Sequence, residues 1–179
     1  MIDIFDKLDR VPGFDSILKA LSDGREPVAV NGMIGSSRTL LAAWLFVKTG
    51  RNVLFISPEQ ESSEKAADDF KAFLDPLIVS LFPSWEIQPY EIRAPHSENI
   101  GDRLKTLYAL TKDKCRVVCA PAAALMEPTS DKSDILKRSI EISPGDSVDM
   151  NQLIESLAEM GFTRRAVVEQ LGDFAVRGG

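Results

Sequence analysis

Three uninterrupted apolar runs of strand length constrain the fold of this chain more than any other feature. They are NVLFIS at 52–57, LIVSL at 77–81 and RVVCA at 116–120. A strand wetted on one face alternates apolar and polar residues, whereas a run that is apolar throughout is buried on both faces. Helical periodicity fills the gaps between them. Glu59 to Phe73 carries Ala66, Ala67, Phe70, Phe73 and, just beyond, Leu74 on one face, with acids toward its start. Asn99 to Thr111 places Leu104, Leu107, Tyr108 and Leu110 as its apolar residues. Strand, helix, strand, helix, strand in this form predicts a parallel sheet covered on both sides.

Upstream lies VAVNGMIGSSRT, residues 28–39. Val28-Ala29-Val30 reads as a short strand, followed by a loop with Gly32 and Gly35. A helix opens near Ser37 and runs to Lys48, stopped by Thr49-Gly50. Strand, glycine loop and helix is the layout of a phosphate-binding P-loop, in which backbone N–H groups and the positive helix end face an anion. The working pattern is G-x-x-x-x-G-K-[ST]. Gly32 and Thr39 hold the first glycine and the hydroxyl position, but Ser37 stands at the last glycine and Arg38 at the lysine. A serine Cβ narrows the cradle, and a planar guanidinium is no equivalent of a compact ammonium. The segment reads as the shell of a P-loop whose hydrolytic use is lost or weakened: Gly32, Gly35, Ser36, Ser37, Arg38 and Thr39 form a degenerate nucleotide loop. The plainer reading is an ordinary strand-to-helix turn with Ser36 or Ser37 as N-cap.

The remaining chain frames this unit. Apolar spacing at Ile4, Phe5 and Leu8, then at Phe14, Ile17, Leu18 and Leu21, predicts two short helices broken at Pro12-Gly13 and ending near Gly24. Residues 82–96, FPSWEIQPYEIRAPH, carry three prolines and no clean period. This loop either packs Trp85 and Tyr90 on the sheet edge or forms an interaction surface. His96 has no partner for catalysis. Ala122 to Met126 is a turn or two of helix, and the polar stretch Pro128 to Ser133 marks a domain boundary. Beyond it, Ile135 to Ile142 reads as a strand, Ser143 to Asp146 as a turn and Asp149 to Met160 as an amphipathic helix stopped by Gly161. Arg164 to Leu171 and Asp173 to Arg177 read as two short strands joined around Gly172. A chain stopping just after such a strand suggests a small α+β lobe cut in mid-hairpin.

Composition narrows the function classes. The 179 residues suit one domain plus a small lobe, with 44% hydrophobic residues to fill a core. A net charge of −6 and a pI near 4.9 argue against a general nucleic-acid surface, which needs clustered lysine and arginine. No apolar run approaches the ~20 residues of a membrane span. Cys115 and Cys119 sit four apart in one apolar strand, on one face by alternation and too far separated for a relaxed disulfide. Buried reduced thiols in a cytoplasmic protein follow, and a single histidine disfavours zinc.

Several blocks occur together in order: VPGF at 11–14, GMIGSSRTL, VLFISPEQESSEKAADDFKAFL, LFPSWEIQPYE, ENIGDRLKTLYAL, VVCAPAAALM and GFTRRAVVEQLGDFAVRGG. Together they resemble the N-terminal region of the bacterial transcription-repair coupling factor family (Mfd), itself similar to the damage-recognition protein UvrB. WEIQPYE and GDFAVRGG are the most specific blocks. UvrB has glycine and lysine where this chain has Ser37 and Arg38, and a broken loop of this kind is the coupling-factor form.

The resemblance implies a RecA-like first domain over residues 1–133 and a second domain, incomplete here, beginning at 134 and running to 179. It implies that the second domain docks onto UvrA, and so a non-catalytic module recruiting UvrA to stalled transcription complexes in nucleotide excision repair. ATP and magnesium would belong to downstream motor domains of an ATP-dependent DNA translocase, with no cofactor or metal for this stretch. RNA polymerase and DNA would be partners through other domains. Of the family's UvrA-contacting residues only Arg177 is matched; Phe174, Arg164 and Arg165 are candidates by position, because interfaces favour arginine and aromatics. The alternative is an active P-loop nucleotide hydrolase of helicase type. That needs a loop lysine and an acid at a strand end; Arg38 stands at the lysine position, and neither strand end, Ile56-Ser57-Pro58 or Cys119-Ala120-Pro121, offers an aspartate.

Overall fold

The computed structural model describes residues 4–24, 27–85 and 97–177, which form a mixed α/β fold. In chain order these are α1 (Ile4–Leu8), α2 (Phe14–Asp23), α3 (Ser37–Thr49), β1 (Val53–Ser57) and α4 (Gln60–Phe73). A 3₁₀ turn (Pro76–Ile78), β2 (Val79–Leu81), α5 (Ser97–Thr111), β3 (Val117–Pro121) and α6 (Ala122–Met126) follow. The last elements are α7 (Lys132–Lys137), α8 (Met150–Glu159), β4 (Thr163–Arg164) and β5 (Asp173–Phe174).

The main sheet is parallel with order β1-β3-β2, Val117 pairing with both Val53 and Val79. β3 is central, and all its residues are buried. Its side chains alternate between two cores. Val117 and Cys119 join Leu41, Ala43 and Trp44 of α3 and Ala66, Ala67 and Phe70 of α4. Val118 and Ala120 join Phe82, Cys115 and Ala124, with Leu107 and Ala109 of α5 packed against them. Trp44 is 1% exposed and meets Phe14 of α2 edge-on at 4.8 Å, while Phe70 is fully buried and meets Phe55 at 5.4 Å. Truncating either ring to alanine costs about 3–5 kcal/mol.

Several expectations are revised. Val28-Ala29-Val30 forms no strand, and Val28 and Val30 are 36% and 42% exposed. A three-residue run needs a neighbour to pair with, and the described strands offer it none. Coverage on both faces holds for β3 but not for β1, where Leu54 and Ile56 are each 54% exposed. The second apolar run, 77–81, starts as a 3₁₀ turn because Pro76 follows Asp75, whose carboxylate accepts from the Leu77 N–H at 2.9 Å. Ile135 to Ile142 is not a strand. Asp131 caps α7 by accepting from the Asp134 N–H at 2.9 Å, and Ile135 is 7% exposed. In the tail β4 and β5 are two residues each and parallel, so there is no hairpin, and residues 165–172 between them are exposed. Alternation also misplaced Cys115: it precedes β3 and packs in the cluster opposite Cys119. Both thiols are free and buried, as expected, and burial pushes the Cys119 thiol up to about 12.

The buried face of α5 is the least expected feature. Leu104 and Leu110 are 48% and 40% exposed, whereas Arg103 and Thr106 are each 2% exposed. Tyr90 and His96 lie outside the described residues. Among the described residues no helix is long and apolar enough to cross a membrane.

Candidate functional site

The glycine loop forms as a loop even without its expected strand. Gly32 and Gly35 take left-handed φ of 79° and 54°, and a Cβ at either would meet nothing within 4 Å. The glycines therefore serve the turn's conformation, not the close approach of a neighbour. The Ser37 hydroxyl donates to the Ile34 carbonyl at 2.7 Å, and Arg38 Nε reaches back to the Met33 carbonyl at 3.4 Å. Ser36 occupies the N-cap position of α3, yet its side chain does not cap the helix. It donates to Asp69 Oδ1 at 3.0 Å, and Thr39 Oγ1 lies 2.8 Å from Asp69 Oδ2. The hydroxyl that a working loop would offer to a metal or phosphate thus faces a carboxylate from α4.

Among the tail candidates, Arg164 lies on β4 and pairs in register with Phe174 of β5. The Arg165 N–H donates to the Phe174 carbonyl at 2.9 Å, and its guanidinium lies 3.8 Å from Asp173, whose side chain is 3% exposed. Arg164, Arg165 and Phe174 are therefore brought together. Arg177 is exposed and falls three residues past the strand rather than within it. Phe174 is half-buried, so it offers part of its ring at most.

Sequence reasoning missed a polar knot around Arg103. Its Nη1 donates to the Pro83 carbonyl at 2.8 Å and to Glu127 Oε2 at 2.7 Å. Its guanidinium lies 4.2 Å from the Phe82 ring centroid and 4.1 Å from that of Trp85. The Trp85 N–H donates to both Glu127 oxygens, at 3.0 and 3.1 Å. One face of α5 continues the pattern: Asn99 Nδ2 donates to the Ser84 carbonyl at 3.1 Å and Thr106 Oγ1 to the Leu81 carbonyl at 2.7 Å. Gln60 of α4 accepts from the Ser84 N–H at 3.3 Å. Side chains from α4, α5 and the end of α6 so hold the backbone of residues 81–85, beside the bond from the Phe82 N–H to the Cys119 carbonyl at 2.8 Å that carries the ladder past β2. The signal was present in the sequence: Asn99, Arg103 and Thr106 share the i, i+4, i+7 spacing of one helix face.

Among the described residues no cluster of three or more His, Cys, Asp or Glu side chains could hold a metal ion. A groove of about 610 Å³ runs between α5, α7 and α8, lined by Leu104, Tyr108, Ile140 and Phe162 with Lys105 and Arg138 among its polar residues.

Residues 140–179 match the family described as the UvrB interaction domain. The chain is 28% identical over 166 residues to the transcription-repair-coupling factor of Bacillus subtilis, covering 93% of this chain and 14% of that protein. The Staphylococcus haemolyticus factor is 24% identical over 156 residues, covering 87% and 13%. That of Staphylococcus aureus strain USA300 is 23% identical over the same length and shares. The chain thus resembles transcription-repair coupling factors over most of its length and spans about one seventh of theirs.

Proposed function

We propose that this chain is a non-catalytic, UvrB-like module of a transcription-repair coupling factor that recruits UvrA in nucleotide excision repair. The observation that carries the reading is the match of residues 140–179 to the UvrB interaction domain, on a chain similar to coupling factors through most of its length. In this reading residues 1–133 are a RecA-like domain in which the glycine loop is a vestige, and residues 134–179 begin the UvrA-binding domain. The parallel order β1-β3-β2 and the loop leading into α3 support that arrangement. Nucleotide hydrolysis and DNA translocation, with RNA polymerase and DNA as partners, belong to other parts of such a factor.

Arg177 is the proposed anchor for UvrA, being exposed and three residues along the chain from Phe174, which pairs with Arg164. Arg165 contributes less, because Asp173 already engages it. Calorimetric titration with UvrA tests the reading. Binding is expected, and Arg177→Ala should weaken it by about 1–3 kcal/mol, or about 5- to 150-fold. Absence of binding refutes recruitment, and binding that Arg177→Ala leaves unchanged refutes the placement of the surface.

A further inference from the structure

The head of α3 lacks the devices that usually satisfy a helix start. Its N-cap serine makes no capping bond, and its first turn holds no acid. A carboxylate arrives instead from a different helix. Asp69 of α4 takes the Ser36 hydroxyl on one oxygen at 3.0 Å and lies 2.8 Å from the Thr39 hydroxyl with the other. These two hydroxyls stand three residues apart on the loop and first turn, so the carboxylate bridges the mouth. Asp69 is no swinging surface acid. Its neighbours Ala66, Ala67 and Phe70, exposed 4%, 2% and 0%, lock α4 into the core that Leu41, Ala43 and Trp44 of α3 share. Thr39 is 3% exposed, and its hydroxyl also lies 2.8 Å from the Ser36 carbonyl. Its one proton is therefore divided between two acceptors within the chain.

We infer that Asp69 is an autoinhibitory residue: its carboxylate closes the glycine loop to phosphate-bearing ligands. The positive end of α3 draws one negative group, and the fold supplies that group from within. An entering phosphate would meet a like charge held in place by the core, and would need the two hydroxyls that the carboxylate already engages. Closure of this kind is independent of Ser37 and Arg38. Restoring glycine and lysine there would leave the loop shut. The inference deepens the non-catalytic reading given above and rests on it.

Differential scanning fluorimetry of the chain and of Asp69→Ala and Asp69→Asn, with inorganic phosphate and with Mg-ATP at millimolar concentration, tests this. The unaltered chain should show no shift with either ligand. Asp69→Ala should melt about 4–8 °C lower, from the loss of two charge-assisted hydrogen bonds at this chain length. It should then recover part of that loss when phosphate is added. Asp69→Asn keeps the shape and an acceptor while removing the charge; it should melt closer to the unaltered chain and still gain the phosphate response. Variants that lose stability without gaining that response overturn the inference and leave the non-catalytic reading standing. A shift in the unaltered chain overturns the closed loop itself, while the UvrA titration still decides recruitment.

Discussion

Arg103 should be among the most sensitive buried positions in this chain, and the size of the effect follows from its surroundings. Its side chain is 2% exposed, with Glu127 at 2.7 Å and the Pro83 carbonyl at 2.8 Å. Burial draws the guanidinium below its ordinary value and Glu127 pulls it back; it stays charged, because arginine does not deprotonate in proteins. Truncating one partner of a buried ion pair costs about 3–5 kcal/mol, mostly from the charge left behind. Here the Glu127 side chain is 22% exposed and keeps its bonds from the Trp85 N–H, so water relieves part of that cost. Working the other way, Arg103→Ala strips the Pro83 carbonyl of its donor and removes the cation between two rings. The expected loss is about 3–4 kcal/mol, seen as a lower urea midpoint with unchanged slope. Arg103→Met with Glu127→Gln should recover part of this, since no buried charge remains and Gln still offers an oxygen to Trp85. A loss under about 1 kcal/mol for Arg103→Ala would mean that the pair behaves like a surface ion pair, and the argument would fail.

Two further outcomes are expected. Hydrogen bonds from Lys48 and then from Trp44 Nε1 hold the Asp9 carboxyl below its ordinary value of 3.8. The folded state therefore binds that proton less tightly than the unfolded chain. The stabilisation is full above about pH 4 and lost as pH falls through the folded value. Asp9→Asn keeps an acceptor for Trp44 and should flatten the acid limb of a urea-midpoint profile, and parallel profiles for the two proteins would refute it. Cys115 and Cys119 are 2% and 0% exposed, and the Cys119 thiol is pushed up to about 12. Neither should react with a disulfide reagent at pH 8 in the folded chain, and both should react in guanidinium. Rapid reaction of either native thiol would contradict the packing.

Where local rules and packing agree, the sequence was legible. α3 ends at Gly50, in a left-handed conformation with its N–H on the Phe46 carbonyl at 2.8 Å, as the Thr-Gly stop implied. α8 starts at Asp149, whose carboxylate accepts from the Asn151 and Gln152 N–H groups. The readings that failed depended on partners that periodicity cannot reveal. Val28-Ala29-Val30 has β-branched residues but no neighbour to pair with. Ile135 reads equally as one of a strand's alternating residues or as a helix's single buried position, and the Asp131 cap decided for helix. On α5 the apolar residues do not by themselves mark the inner face, since Leu104 and Leu110 are exposed while Leu107 packs on the core. The inner face there is mixed: Leu107 and Ala109 pack on the core, while Asn99, Arg103 and Thr106 meet carbonyls at and beyond the end of β2, which need donors more than they need methyl groups. Of the candidate site, the glycine loop and the tail arginines could be named from sequence. Asp69 and Glu127 could not, since each acts across some 24 to 33 residues of chain.

The two polar centres share a logic that bears on function. A catalytic site holds polar groups in readiness for a substrate, so part of its hydrogen-bonding capacity faces an opening. Around the glycine loop, Ser36 and Thr39 are directed onto Asp69, Ser37 onto Ile34 and Arg38 onto Met33. Around Arg103 the same inward direction fixes residues 81–85, so that Phe82 and Pro83 are as buried as any strand residue without belonging to one. In both places, residues of the types that bind phosphate or stabilise developing charge in other proteins join helices to loops. Such internal use rigidifies the scaffold. Among the described residues, the Arg164–Arg177 tail is an exposed stretch that carries clustered arginine and an aromatic side chain. A scaffold stiffened in this way suits binding by preformed surfaces, since little of the contact energy is then lost to ordering.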